Sequence, residues 1–227
     1  MNYTSTVSKT HDSGLANYMT GIYTFMAAGL GLTALTAFGV AYLPGAFELF
    51  MGGPQKWLFI FAPLLMVLAM SFGLERMSAE TLRMMFFGYA ALMGVSMSII
   101  FLVFTGVSIV STFLVTTIAF ASLSIYGLTT KRNLSAMGTF LLMGLIGLIV
   151  ASVVNIFLAS SALAFAVNVI GVLIFAGLTA YDTQNLQQMY LSGSATDKLS
   201  IMGALSLYLN FINLFQFLLS FLGQQNE

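Results

Sequence analysis

Apolar residues fall into seven long runs along this chain, separated by short polar stretches. Each run is near the roughly 20 residues that a helix needs to cross hydrocarbon. The pattern predicts helices over 18–43, 57–74, 84–104, 108–128, 136–158, 162–183 and 200–222. Connections shrink to about four residues around Thr105 and Gly106, so consecutive helices must run antiparallel. The resulting expectation is an all-α polytopic membrane protein. It has a polar tail over 1–17, a seven-helix transmembrane bundle over 18–222 and a short polar tail over 223–227. The first apolar run exceeds the about 7 to 15 residues of a signal-peptide core, so it reads as an uncleaved helix.

Composition agrees with the pattern. The chain is 59% hydrophobic and 6% charged, whereas soluble domains carry roughly 25% charged residues. Seven basic and seven acidic residues cancel, which leaves no basic surface for nucleic acid. The absence of cysteine removes disulfides, thiolate catalysis and cysteine-ligated metals. Charge instead informs topology. With a cytoplasmic N-terminus, Lys9, Arg76, Arg83, Lys131, Arg132 and Lys198 share the cytoplasmic side and only Lys56 lies opposite, as the positive-inside rule favours. A seventh crossing then puts the C-terminus outside, and a re-entrant last segment would return it.

Several residues have local meanings. Gly29 with Thr33, and Gly144 with Gly147, suit close helix packing, because lipid gives no hydrophobic push between helices. Fifteen Met and 21 Phe fill gaps and face lipid. Tyr42 and Trp57 sit at run ends, where amphipathic rings favour headgroups. Pro63, inside the second run, removes one helical hydrogen bond and predicts a kink.

The candidate chemistry lies in the last quarter. Asp182 ends the sixth run in GLTAYDTQNL, with no other charge near it. Ser206, Asn210, Asn213 and Gln216 fall at helical spacing on one stripe of the seventh run, and Asn155 and Asn168 add amides to the fifth and sixth. Polar groups in hydrocarbon need partners or a cavity, so this set either bonds helices together or lines a cation path. By this placement Asp182 closes its helix on the side of Arg76 and Arg83. Asn210 lies roughly 15 Å into the next helix, so contact with Asp182 requires a deeper start or a break near Ser200 to Gly203.

Three stretches carry a family resemblance: TTKRNLSAMGTFLLMGLIGLIVASVVNIF, GLTAYDTQNL and GALSLYLNFINLFQFLL. In order and spacing they resemble the bacterial branch of the Bax inhibitor-1, or transmembrane Bax inhibitor motif, family. The resemblance implies six helices around a central seventh and a pH-sensitive calcium leak. It also implies a latch in which two aspartates on the last two helices share a proton and exchange with an arginine after the second. Asp182 matches the first aspartate, Arg76 matches the arginine, and Asn210 stands where the second aspartate is expected. An amide does not titrate, so the pair here holds one acid and one neutral hydrogen-bonding partner.

The function expected on these grounds is a pH-influenced passive calcium pathway gated near Asp182, in a bacterial inner membrane. Calcium enters as a permeant ion, and no cofactor or resident metal is expected. The alternative is a non-transporting regulator that binds another membrane protein, such as a quality-control protease. Enzyme function is not expected: an aspartyl mechanism needs two carboxylates, and His11, the sole histidine, lies in the N-terminal tail. The seventh run has no lysine for a retinal Schiff base.

Overall fold

A computed structural model describes residues 3–226, with side chains described from residue 13. The elements are α1 (Tyr3–Tyr42), α2 (Ala46–Met51), α3 (Lys56–Gly73), α4 (Ala79–Met97), α5 (Ile100–Val103), α6 (Gly106–Thr129), α7 (Ser135–Leu158), α8 (Ser161–Leu191) and α9 (Asp197–Leu222). The fold is all-helical, and no strand occurs among the described residues. Among the described residues, seven helices are long and apolar enough to cross a membrane, with α4 and α5 counted together as 79–103.

The boundaries depart from the sequence reading in five places, one being the third run, read as a single helix over 84–104 but starting at Ala79 and divided into α4 and α5. Helix α1 begins at Tyr3, within the stretch read as a tail, although its membrane-length portion is Ser13–Tyr42. Lys9, His11 and Asp12 have side chains outside the described set. The six-residue α2 occupies the first connection and was not expected. Helix α8 runs eight residues past the predicted 183, because the polar TQNLQQMY stretch contains no helix breaker. It stops at Gly193, whose φ of 72° ends the helix, while Ser194 N–H bonds back to Met189 O. Finally, α9 is one uninterrupted 26-residue helix from Asp197, about 39 Å long and sufficient for a full crossing.

The chain forms two compact units, Met1–Phe101 with Leu186–Tyr208, and Leu102–Asn185 with Leu209–Glu227. Helices α8 and α9 each contribute one end to both.

In the first unit, Gly94 lies so close to α1 that an added Cβ would come within 2.6 Å of Thr33 O and 2.7 Å of Thr36 Cβ. Gly29 likewise takes the Phe86 ring, at 2.6 Å from an added Cβ. The expected close packing at Gly29 and Thr33 is therefore present, and Thr33 Oγ1 donates to Ala90 O at 2.8 Å and Gly29 O at 3.0 Å. Helix α3 continues through Pro63, which cannot donate to Phe59 O. Ser96 Oγ on α4 supplies that missing donor. The orphaned carbonyl is thereby satisfied where water is scarce.

In the second unit, a core of Leu141, Leu148, Ile174, Phe175, Leu178 and Leu214 joins α7, α8 and α9. Gly144 accommodates Ile174, whereas Gly147 has open space around it. The C-terminal residues are tied down by their backbone. Gln225 pairs antiparallel with Phe104, Asn226 N–H donates to Val103 O at 2.9 Å, and Gln224 N–H donates to Ser108 Oγ at 2.9 Å.

Candidate functional site

The GLTAYDTQNL stretch occupies α8 in the second unit, and its side chains fan out to three neighbours. Ala180 O and Thr183 press on Gly127 of α6, where an added Cβ would collide with the carbonyl. Tyr181 lies over Gly138 of α7 in the same way. Gln184 is buried and closes the α6–α7 connection: its Oε1 accepts from Leu134 N–H and its Nε2 donates to Arg132 O, both at 2.8 Å. These contacts need a small residue opposite each large one and a bifunctional amide at position 184. Most of the motif is thus accounted for by packing.

Asp182 is the exception. It is half-buried and accepts a hydrogen bond at 2.7 Å, on Oδ2, from Nδ2 of buried Asn210. Sequence reasoning placed Asp182 at a helix end and required α9 to start deeper or break. Both placements are corrected. Leu191 is the true end of α8, so Asp182 sits about 13 Å inside the helix, and Asn210 is about 19 Å from the start of α9. The extra turns of α8 bring the two side chains together while α9 stays intact.

The pair has limited chemistry. The short contact is a strong amide-to-carboxyl bond if Asp182 is ionised, and it survives protonation of the other carboxyl oxygen. Asn210 Oδ1 remains an acceptor facing the same neighbourhood. One carboxylate and one amide oxygen suit a hard cation such as calcium, although calcium sites that hold the ion take six to eight oxygens. No cluster of three or more metal-ligating acids or histidines occurs among the described residues.

The other candidates are placed as follows. Arg76 follows α3 in the first unit, with its N–H bonded to Gly73 O at 2.9 Å, while Asp182 belongs to the second unit. Ser206 is half-buried in the first unit, and Gln216 is half-buried in the second. Asn213 turns back on its own helix, donating to Leu209 O at 2.8 Å. Asn155 ends α7 by accepting from Ser160 N–H, next to Ala159 in the left-handed region at φ 48°. Asn168 donates to Ser220 Oγ at 3.0 Å, joining α8 to α9. Three of the amides therefore work in hydrogen bonds within or between helices.

Sequence reasoning missed one polar node, in the first unit. Tyr208 is fully buried, and its hydroxyl lies 2.6 Å from Thr33 Oγ1. Since the Thr33 proton goes to a carbonyl, the Tyr208 hydroxyl is the donor. Tyr89 stacks edge-on against Tyr208 at 5.5 Å, and Phe86 does so at 5.8 Å. The clue was available: ALSLYL places a tyrosine inside an apolar run, where its hydroxyl must find a partner.

Comparison with known proteins identifies the family. Residues 15–227 match the family described as inhibitor of apoptosis-promoting Bax1. The inner membrane protein YbhL of Escherichia coli K12 is 45% identical over 219 residues, with 94% of each chain covered. An uncharacterised protein of Rickettsia prowazekii is 43% identical over 99% of this chain and 96% of its own. An uncharacterised membrane protein of Streptococcus pyogenes is 32% identical over 95% and 96%. The chain therefore belongs to the Bax inhibitor-1 family of membrane proteins.

Proposed function

We propose that the protein is a passive cation leak, with calcium as the permeant ion, whose opening depends on Asp182. The observation that supports this reading is the 2.7 Å bond between the Asp182 carboxyl and the Asn210 amide on facing helices. Intramembrane acids are costly and commonly mark ion pathways. Here the acid is paired with a partner that cannot titrate, so the site takes up or loses one proton. Ionised, it attracts a cation; protonated, it does not. Flux then rises with pH along a single-proton curve. Asn210 and Gln216, on the same half of α9, offer amide oxygens in the unit that holds Asp182.

Purified protein in liposomes, assayed for calcium entry from pH 6 to 8, tests this. Flux above empty liposomes with a one-proton rise is expected, and Asp182→Asn removes the rise. No flux above the blank contradicts a channel. An identical pH profile in Asp182→Asn contradicts the role of the carboxyl.

One observation favours the second reading, a regulator that binds another membrane protein. Asn155 commits its amide oxygen to Ser160 N–H, and Asn168 and Asn213 are anchored through Nδ2 to Ser220 Oγ and Leu209 O, so these amides serve helix ends and helix packing. Crosslinking in native membranes separates the readings, because a leak needs no partner and a regulator yields a reproducible one.

A further inference from the structure

A cavity of about 260 Å³ opens in the first unit, between the early turns of α4 and α9 and the membrane-length part of α1. Its floor is apolar and aromatic, with Ile22, Phe25 and Ile201. Its rim is polar and balanced: Arg83 and Asp197 carry opposite charges, flanked by Asn17 and Ser200. The two charges form a loose ion pair at 3.6 Å, with side chains 52% and 79% exposed. Such a pair is worth little by itself and leaves both groups free for another partner. Tyr18 lines the same cavity, and its hydroxyl is buried without a hydrogen-bond partner. A buried orphan hydroxyl calls for an absent acceptor. Lys198, the nearest basic residue on α9, is already engaged, with its ammonium donating to Leu74 O and Glu75 O at 3.3 Å.

From these features we infer that this cavity binds the headgroup of a zwitterionic phospholipid bearing a primary ammonium, that is, a phosphoethanolamine headgroup. The phosphate takes the Arg83 guanidinium and the Tyr18 hydroxyl. The ammonium takes Asp197, together with the oxygens of Asn17 and Ser200. Charge balance selects a zwitterion, since an anion would meet the Asp197 carboxylate and a cation would meet Arg83. Three acceptors on the ammonium side select N–H donors, which a quaternary ammonium lacks. Depth selects a lipid: the lining comes from the beginnings of membrane-length helices, where headgroups lie, and the apolar floor receives the glycerol end of the chain.

Native mass spectrometry of the full chain, released from nanodiscs of mixed ethanolamine, choline and glycerol phospholipids, tests this. The wild type is expected to retain the ethanolamine lipid over the other two. Arg83→Gln is expected to lower that retention about ten-fold and Tyr18→Phe about three-fold, the scale of one charged and one neutral hydrogen bond. Neither substitution is expected to shift the thermal unfolding profile, which is measured alongside. Equal retention of choline and ethanolamine lipids overturns the headgroup assignment, and unchanged retention in both variants overturns the site. Competition by soluble glycerophosphoethanolamine at the concentration of the lipid overturns the lipid source in favour of a free metabolite. If Arg83→Gln fails to fold, Asp197→Asn replaces it, and the expected result is loss of ethanolamine preference with choline retention unchanged.

Discussion

On the first half of α9, Tyr208 donates to Thr33, which donates onward to a carbonyl of α4, and aromatic rings close over the group. On the second half, Asn210 donates to the half-buried carboxyl of Asp182, the group on which the proposed gating rests. The first arrangement satisfies neutral groups in a fixed geometry and has no second state. The second joins two helices through a bond whose acceptor has two protonation states. The contrast separates neutral groups that only hold helices together from the acid on which the proposed gate depends, although both look alike as polar letters in an apolar run.

Substitutions sharpen that contrast in order of size. The largest expected effect is at Gly94, where a larger side chain meets α1 backbone and not a movable side chain. Gly94→Val is expected to cost about 3 kcal/mol or more and to abolish accumulation of folded protein in the membrane. Next, Thr33→Val strands the Tyr208 hydroxyl and is expected to cost about 1 to 3 kcal/mol in detergent unfolding. Adding Tyr208→Phe should recover part of that loss, because no donor is then left unpaired. Gln184→Ala removes two hydrogen bonds to the α6–α7 connection and is expected to cost about 1 to 2 kcal/mol, with flux unchanged at matched protein amounts. Asn213→Ala is the smallest, within about 0.5 kcal/mol and without effect on flux, since its amide bonds only its own helix. A large flux loss there would return Asn213 to the ion path.

Much of this was legible in the sequence. Seven apolar runs gave the seven membrane-length helices, because the bilayer fixes helix length and the pattern is direct. Asp182 and Asn210 stood out because each interrupts apolar surroundings. Their contact was harder to read: it depends on where α8 ends, and TQNLQQMY looks like a loop by polarity while having no residue that breaks a helix. Gly193, one turn later, was the usable stop signal. The C-terminal pairing with Phe104 runs through backbone groups, and the Ser96 hydroxyl meets a backbone carbonyl at Phe59, neither of which side-chain patterns display. The Tyr18 cavity arises from three helices far apart in sequence, and no local stretch encodes it.

The most direct measurement compares the pH dependence of calcium flux in liposomes for the wild type and for Asn210→Asp. The substitution puts a second carboxyl 2.7 Å from the first, where the two hold together only by sharing a proton. A single-proton curve is expected for the wild type and a steeper or two-step curve for the variant. The variant is also expected to have a more stable helix pair in acid than in alkali. Superimposable curves, with both proteins conducting, would contradict the claim that α8 and α9 meet at a titrating switch.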